Sequence, residues 1–204
     1  MSHVAVIDTG LCNLDSIVRA IEECGGRAQV TAQPGDLASA TRIILPGVGA
    51  FPEAMARLRA RGLVEALNEH VVEHGVPFLG VCLGMQLMAT RGFEGKETAG
   101  LGWVDGEVHR IEPRPGERIP HIGWNDVEPT DNAPLFAGIP PGRDFYFVHS
   151  YALQPASGRD VAAFSPYGGR FVSAVTFGNR HGVQFHPEKS QGAGFAVLRN
   201  FLSI

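Results

Sequence analysis

Short apolar runs alternate with longer stretches of helical periodicity in the first 90 residues of the chain. Each run is bounded by Asp, Gly or Pro and predicts a buried strand: residues 3–8, 42–45 and 76–81. Apolar positions recur at helical spacing in residues 14–21, and residues 54–74 predict a long helical stretch that Gly62 could interrupt. Strand–helix–strand units of this kind indicate a mostly parallel sheet with helices on both faces.

The second half of the chain has a different pattern. Its apolar runs are short, are separated by Pro, Gly, Asn and Asp, and in several cases alternate with polar positions, as in antiparallel strands with one exposed face. The predicted strands are residues 107–111, 144–149, 161–165, 172–176 and 182–185, and residues 195–202 predict a closing helix. No repeat or linker divides the sequence, so we expect a single α/β domain over residues 1–204, with an antiparallel extension of a mostly parallel central sheet.

Composition excludes several classes of protein. With 44% hydrophobic and 19% charged residues among 204, the chain is expected to fold rather than to be disordered. A formal net charge of −4 gives no support for nucleic-acid binding, and no apolar run is long enough to span a bilayer. Three cysteines argue against a disulfide scaffold and for a reducing, cytoplasmic location. The histidine and cysteine spacings do not favour a metal site, and we expect neither a metal nor a cofactor.

The third predicted strand runs directly into Gly80-Val81-Cys82-Leu83-Gly84 and then into good helix formers. A nucleophile with glycines two residues before and after it, between a strand and a helix, has the pattern of a nucleophile elbow. The helix N-terminus that follows would favour a thiolate and a developing oxyanion. These five residues alone are equally compatible with a structural cysteine in a tight turn.

A second motif, His186-Pro187-Glu188, follows the last predicted strand. In extended backbone, residues i and i+2 point to the same side, so the Glu188 carboxylate can reach and orient the His186 ring. Taken alone, the motif is better explained as a surface pair at a strand end. Together with the elbow it favours a catalytic site, because strand ends in open α/β sheets meet at one edge, where ligands bind.

Two segments resemble the signatures of class I, triad-type glutamine amidotransferases: residues 80–86 (GVCLGMQ) and 183–191 (VQFHPEKSQ). Five more resemble, more narrowly, the glutaminase subunits of imidazole glycerol phosphate synthase: residues 7–16, 45–51, 120–125, 146–151 and 188–191. The resemblance covers nearly the whole chain in the same order, and its most specific parts are PHIGWN, YFVHSY and HPEKSQ. It implies a flavodoxin-like fold and glutamine as the substrate.

The resemblance also implies roles for individual residues. Cys82 would be the nucleophile, His186 the general base and acid, and Glu188 the group that orients His186. The oxyanion hole would use backbone N–H groups of Leu83 and of the loop Gly47, Val48 and Gly49. The residues implied to bind the glutamine head group are Gln86, Glu94, His149, Ser150 and Tyr151, and those implied at a partner interface are Asn13, Trp124, Tyr146 and Lys189.

The partner implied by the resemblance is a cyclase subunit with a (β/α)8 barrel, which would receive ammonia and complete a heterodimer. The sequence has no phosphate-binding loop motif of its own, which agrees with a synthase site on another chain. Thr9 and Cys12 depart from the family pattern in the loop expected at that interface. We also expect the oxyanion hole to remain incomplete until the partner and its ligand are bound, because loop 46–49 contains two glycines whose peptides can reorient at low cost.

Three alternatives from other classes are open at this point. Similar glutaminase parts serve pyridoxal-phosphate, guanylate, anthranilate and aminodeoxychorismate systems, although Trp124-Asn125 and Lys189-Ser190-Gln191 favour imidazole glycerol phosphate synthase. A cysteine peptidase could share the elbow, but Gln86 and Glu188 in their motif contexts speak against it. A binding module without activity is disfavoured because Cys82, His186 and Glu188 are all present.

Overall fold

The computed structural model describes residues 2–131 and 133–204. Four strands of its first half and one from near the end of the chain form the parallel part of a large sheet, in the order β2-β1-β3-β4-β13. These strands are β1 (His3–Ile7), β2 (Arg27–Thr31), β3 (Arg42–Gly47), β4 (Phe78–Cys82) and β13 (Arg180–Val183). A strand from the end of the chain thus pairs with the strand that carries Cys82.

Helices cover both faces of the parallel strands. They are α1 (Asp15–Glu23), α2 (Phe51–Ala60), α3 (Leu63–Leu67), α4 (Leu83–Gln86) and α5 (Gln191–Ser203). Alternate residues of β1 belong to different cores: Ala5 and Ile7 pack with α2 and α3, whereas Val4 and Val6 pack with α1 and α5. Burial on both faces explains why these strands are continuous apolar runs.

The large sheet continues beyond β13 as an antiparallel extension, in the order β13-β12-β11-β8-β9. Its strands are β8 (His121–Pro129), β9 (Arg143–His149), β11 (Val161–Ser165) and β12 (Phe171–Phe177). A smaller sheet, ordered β10-β7-β5-β6, contains β5 (Ala89–Gly92), β6 (Thr98–Ala99), β7 (Val104–Arg110) and β10 (Tyr151–Pro155). The parallel half and the antiparallel extension predicted from the sequence are both present.

Several elements differ from the sequence-based expectation. The helix expected after Cys82 lasts a single turn, because Ala89 already belongs to β5. The long helical stretch begins at Phe51 rather than at residue 54, and it breaks at Gly62, which has a φ of 67°. Its last part, Asn68–Glu73, is a π-helix, and short 3₁₀ turns occupy Pro34–Ser39, Pro134–Phe136, Gly158–Asp160 and Pro187–Lys189. Within residues 2–131 and 133–204, no helix has the length and apolar character needed to cross a membrane.

Candidate active site

Cys82 lies at the carboxyl end of β4 and directly precedes α4, in a backbone conformation that is rare for a residue with a side chain. Its φ is 55° and its ψ is −109°, which is the kind of strain that persists when the surroundings enforce it. Both flanking glycines are required for this turn. A methyl group on Gly80 would lie 2.6 Å from the Gly84 backbone, and one on Gly84 would overlap the Leu45 carbonyl oxygen. The elbow therefore depends on glycine at both positions.

His186 and Glu188 lie together just beyond β13, as expected, although Glu188 is in the 3₁₀ turn Pro187–Lys189 and not in the extended backbone assumed from the sequence. His186 Nδ1 is 2.8 Å from Glu188 Oε1, and the two side chains are only 5% and 9% exposed. Ser190 holds this segment in place, because its hydroxyl donates to the His186 carbonyl at 2.6 Å and accepts from Tyr146 N–H at 3.0 Å. The His186 backbone N–H donates in turn to the Tyr146 carbonyl at 2.9 Å.

Strand register brings the cysteine and the histidine to one edge of the sheet. β4 is paired in parallel with β13 on one side, with Val81 opposite Val183, and with β3 on the other, with Gly47 opposite Cys82. The carboxyl ends of the three strands therefore meet, with the Gly47 loop on one side of Cys82 and His186 on the other. This edge is where open α/β sheets bind ligands.

The electrostatics of the site favour a charged His186 ring. Burial lowers its pKa, but the neighbouring Cys82 sulfur and the Glu188 carboxylate outweigh burial and raise the pKa to about 10. Nε2 of the ring makes no hydrogen bond to the described residues, yet the sulfur is close enough to have this effect. An imidazolium beside the sulfur stabilises the thiolate, which is the nucleophilic form.

The other two cysteines are in environments of the opposite kind. Burial, Asp8 and Glu188 raise the pKa of Cys12 to about 11. Burial also raises the pKa of Cys24, whose thiol donates to the Phe195 carbonyl at 3.4 Å. Both thiols are therefore held in the protonated, unreactive form at neutral pH, and we expect Cys82 to be the reactive cysteine of this chain.

Two further groups contact the Cys82 sulfur. The thiol lies 3.8 Å from the Val148 carbonyl oxygen, and the side-chain amide of Gln184 donates to the sulfur at 3.6 Å. Sequence reasoning assigned no role to Gln184. The signal that could have found it is the same period of two that predicted the His186–Glu188 pair, because Gln184 precedes His186 by two residues.

Three of the five residues implied to bind the glutamine head group, Gln86, His149 and Tyr151, meet at one backbone carbonyl. The Tyr151 carbonyl oxygen lies 2.9 Å from Gln86 Nε2 and 2.9 Å from His149 Nδ1. Ser150 lies between His149 and Tyr151 in the chain and is half-buried. Glu94 is placed differently: its carboxylate accepts from the Phe51 N–H at 2.8 Å, at the first turn of α2 just after the Gly47–Gly49 loop.

A buried pair of histidines supports this cluster. His121 Nδ1 is 3.0 Å from His149 Nε2, and Asn125 Nδ2 is 3.2 Å from His121 Nε2. Burial lowers the pKa of His121 to about 4 and that of His149 to about 3, so both rings are neutral at pH 7. Neither histidine ring can therefore carry charge to the site, and the pair acts through hydrogen bonds.

A cavity of about 310 Å³ adjoins His186 and Glu188 on the side of the predicted oxyanion loop. Its lining includes Gly47 and Val48 of that loop. Leu83, the other residue expected at the oxyanion hole, is the first residue of α4, and Gly49 has a φ of 102°. Asn13 and Lys189, both expected at a partner interface, also line the cavity and are exposed at its mouth.

The other two expected interface residues form an aromatic pair that Lys189 connects to the cavity lining. Trp124 is 49% exposed, and its ring meets Tyr146 edge to face with the centroids 6.0 Å apart. The Lys189 ammonium lies 5.9 Å from the centre of the Tyr146 ring, which joins the pair to the His186 segment. Ile122, two residues before Trp124 on β8, is 58% exposed. β8 thus carries exposed apolar side chains beside Tyr146, which Lys189 connects to the cavity lining.

The fold and the geometry of this edge define the class of protein. The chain belongs to the class I glutamine amidotransferase family, whose model, described as "Glutamine amidotransferase class-I", matches residues 5–204. It is 47% identical over 201 residues to "Imidazole glycerol phosphate synthase subunit HisH" of Moorella thermoacetica, covering 98% of this chain and 94% of the relative. It is also 47% identical over 209 residues to the protein of the same name from Caulobacter vibrioides, covering 99% of this chain and 98% of the relative.

Solved structures share this fold. "Structure of PurLQS from Thermotoga maritima" matches with a TM-score of 0.77 and 19% identity, covering 100% of this chain and 99% of that chain. A structure titled "Crystal structure of glutamine amidotransferase" matches with a TM-score of 0.77 and 18% identity, covering 98% of this chain and 99% of the other. At these identities the likeness concerns the fold, and it confirms the α/β architecture predicted from the sequence.

Proposed function

We propose that this chain is the glutaminase subunit of an imidazole glycerol phosphate synthase, in which it releases ammonia from glutamine. The observation that carries the proposal is the meeting of a strained cysteine, Cys82, with the buried His186–Glu188 pair at one sheet edge. Family membership supports glutamine as the substrate, and the names of relatives 42–47% identical to the chain support this particular synthase over other amidotransferase pathways.

In the proposed reaction, the Cys82 thiolate attacks the side-chain amide carbon of glutamine and forms a tetrahedral intermediate. The His186 imidazolium then gives its proton to the leaving nitrogen, the C–N bond breaks, and ammonia leaves a glutamyl thioester behind. Water, deprotonated by His186, attacks the thioester carbon. The C–S bond breaks, glutamate departs, and the Cys82 thiolate and the imidazolium are restored.

Charge stabilisation in this reaction is assigned to backbone donors. The developing oxyanion is bound by the Leu83 N–H at the start of α4 and by an N–H of the Gly47–Gly49 loop, which runs beside Cys82. Removal of one such donor typically lowers the rate by roughly 100- to 1,000-fold. The loop donor is supplied only when the partner binds, and the position of the loop on the wall of the 310 Å³ cavity supports this gating.

Binding of the glutamine head group is assigned to Gln86, Glu94 and residues 149–151. The shared contacts of Gln86 and His149 with the Tyr151 carbonyl support a common site for them. Glu94 is the single carboxylate of this set and is suited to the α-ammonium group of the substrate. Its bond to the start of α2 supports a further role, in which substrate binding is sensed next to the oxyanion loop.

The acceptor of ammonia in this proposal is a (β/α)8-barrel cyclase subunit, which completes a heterodimer. The cyclase converts a phosphorylated ribulosyl nucleotide to imidazole glycerol phosphate and AICAR in histidine biosynthesis. Exposed Trp124, which packs on Tyr146, supports docking on this face, since aromatic residues are enriched at interface hot spots. Three free cysteines support a cytoplasmic location.

The test is glutamate release from glutamine by the purified chain, first alone and then with the cyclase and its nucleotide ligand. We expect activity that requires Cys82, is lost in Cys82→Ala, and rises strongly when the partner and ligand are present. A matched control is Cys12→Ala, which removes the neighbouring thiol in the cavity and should keep the activity. Full activity of the isolated chain would contradict the gating of the oxyanion hole, and no activity under any condition would contradict the function.

A further inference from the structure

Gln184 is fully buried between the candidate nucleophile and a residue of the substrate site. Its side chain has no exposed surface, although burying an unpaired amide is costly. Both polar atoms are paired: Oε1 accepts from Gln86 Nε2 at 3.0 Å, and Nε2 donates to the Cys82 sulfur at 3.6 Å. A position used only for packing would not need an amide, because a leucine would fill a similar space without polar atoms that require partners.

The orientation of the Gln184 amide follows from its neighbours. Gln86 donates to the Tyr151 backbone carbonyl, which can only accept, so the nitrogen of Gln86 must face Tyr151. The same nitrogen faces Gln184, which therefore presents its oxygen to Gln86 and its NH₂ group to the sulfur. The Tyr151 carbonyl thus sets the direction of both hydrogen bonds, and the Gln184 NH₂ group donates to the Cys82 sulfur.

We propose that Gln184 is a positioning residue that holds the Cys82 sulfur as a thiolate and aims it at the substrate. A hydrogen bond to the charged form of a group favours that form. The amide complements the His186 imidazolium, because it supplies a neutral donor that remains in place when His186 gives up its proton to the leaving group. The proposal rests on the assigned roles of Cys82 and His186 in the proposed function.

The same contact links the nucleophile to substrate binding. Gln86, which is assigned to the substrate head group, restrains the amide that touches the sulfur. A substrate that moves Gln86 would therefore move the donor on Cys82, so that the sulfur is aligned only when the head group is seated. Loss of Gln184 is accordingly expected to lower kcat more than it raises KM.

The test measures the reactivity of Cys82 directly, in a Cys12→Ser, Cys24→Ser background that leaves a single thiol. The rate of alkylation by iodoacetamide is followed from pH 5 to pH 10 for the parent chain and for two variants that lack the donor, Gln184→Leu and Gln184→Met. Met keeps the length of the side chain and is the safer replacement for folding. Thermal unfolding of each variant checks that the fold is retained.

We expect the midpoint of the alkylation profile to rise by about one pH unit in both variants, with a rate about tenfold lower at pH values below both midpoints, as loss of one hydrogen bond to a charged group predicts. The matched control is Ser173→Ala. Ser173 is also fully buried. Its backbone carbonyl accepts from the Gln184 N–H at 2.9 Å, but its hydroxyl has no partner among the described residues. Its profile should equal that of the parent.

An unchanged midpoint in a folded Gln184→Met variant would overturn the proposal. The experiment needs no glutamine turnover, which separates this inference from the proposed function. If the parent chain releases glutamate and the midpoint does not move, the inference alone fails. If the parent releases no glutamate but the midpoint rises, the role of Gln184 at the sulfur stands and the assigned activity fails.

Discussion

His121 donates the proton in its hydrogen bond to His149. The Tyr151 carbonyl can only accept, so His149 carries its proton on Nδ1 and presents a bare Nε2 to His121 Nδ1, 3.0 Å away. His121 must therefore carry a proton on Nδ1, and its Nε2 accepts from Asn125 Nδ2. The three hydrogen bonds that link Asn125, His121, His149 and the Tyr151 carbonyl are therefore all donated in the same direction, from β8 toward that carbonyl.

This relationship predicts that His121→Phe weakens substrate binding without touching the nucleophile. The variant leaves His149 Nε2 buried and unpaired, which is expected to cost about 1–3 kcal/mol of stability and to raise KM for glutamine. Urea unfolding and steady-state kinetics measure the two effects. Tyr167→Phe is the control, because Tyr167 stacks on His121 at 4.0 Å and the variant keeps that ring. A KM equal to that of the control would show that the histidine pair is only structural.

Glu188→Gln tests the orienting carboxylate. The Glu188 charge and hydrogen bond both act to raise the pKa of His186, so the variant should lower that pKa and weaken the imidazolium beside Cys82. We expect glutaminase kcat to fall about 10- to 100-fold, the range for one hydrogen bond to a charged group. Glu53→Gln, which breaks an exposed ion pair with Arg57, should leave kcat unchanged. Equal activity of both variants would remove Glu188 from the mechanism.

The elbow glycines predict a sharp difference between two Gly→Ala substitutions. At Gly84 the new methyl group overlaps the Leu45 carbonyl oxygen, and we expect a loss of more than about 4 kcal/mol or no folded protein. Gly192, in the first turn of α5, has no atom within 4 Å of the added group, so Gly192→Ala should stabilise the chain by about 0.5–1 kcal/mol. Expression yield and thermal unfolding distinguish the two. A folded, normally stable Gly84→Ala chain would refute the close approach of α4 to β3.

Acid sensitivity is predicted by a buried histidine away from the site. Burial lowers the pKa of His181 to about 4, whereas the unfolded chain has an ordinary value near 6.5. The unfolded state therefore binds more protons below pH 6.5, and stability is lost as the pH falls toward 4. Between pH 7 and pH 5, protonation of His181 in the unfolded state is expected to lower the free energy of unfolding by about 1–2 kcal/mol. Urea unfolding of His181→Leu should depend less on pH, and an unchanged pH dependence would contradict the assignment.

Trp124→Ala is expected to weaken binding of the cyclase about 10- to 100-fold, as for an aromatic hot spot. Calorimetric titration of one subunit into the other measures the change. Val72→Ala is the matched control, because Val72 has a similar exposure of 46% but lies on Asn68–Glu73, in a different part of the chain. If the two variants bind equally well, the partner docks elsewhere.

Much of the parallel half could be predicted from the sequence, because strands such as β1 and β4 are buried on both faces and their residues are continuously apolar. The motifs around Cys82 and His186 could be located from their residue types and spacing. The elbow requires glycines on both sides of Cys82, and Glu188 lies two positions after His186. The strand register that brings the two motifs together is a long-range property. Local patterns do not specify which strands are neighbours, so they could not place Cys82 beside His186.

Other elements could not be predicted from local patterns. β2 is an edge strand with mixed residues, and β8 exposes Ile122 and Trp124 on a surface expected to meet another protein. The helix after Cys82 ends after one turn for a tertiary reason, since residues 89–92 pair with β7. Its spacing from His186 could have marked Gln184 as a candidate, but not its role, which depends on a sulfur 102 positions away in the chain.

β13 lies at the junction of the two halves of the large sheet, parallel to β4 and antiparallel to β12. Gln184, His186 and Glu188 follow it on alternate positions of the same short segment. A substitution there changes one of these side chains, but insertion or deletion of one residue before Gln184 would displace all three together. The length of this segment is therefore expected to be constrained as tightly as the residue types at these three positions.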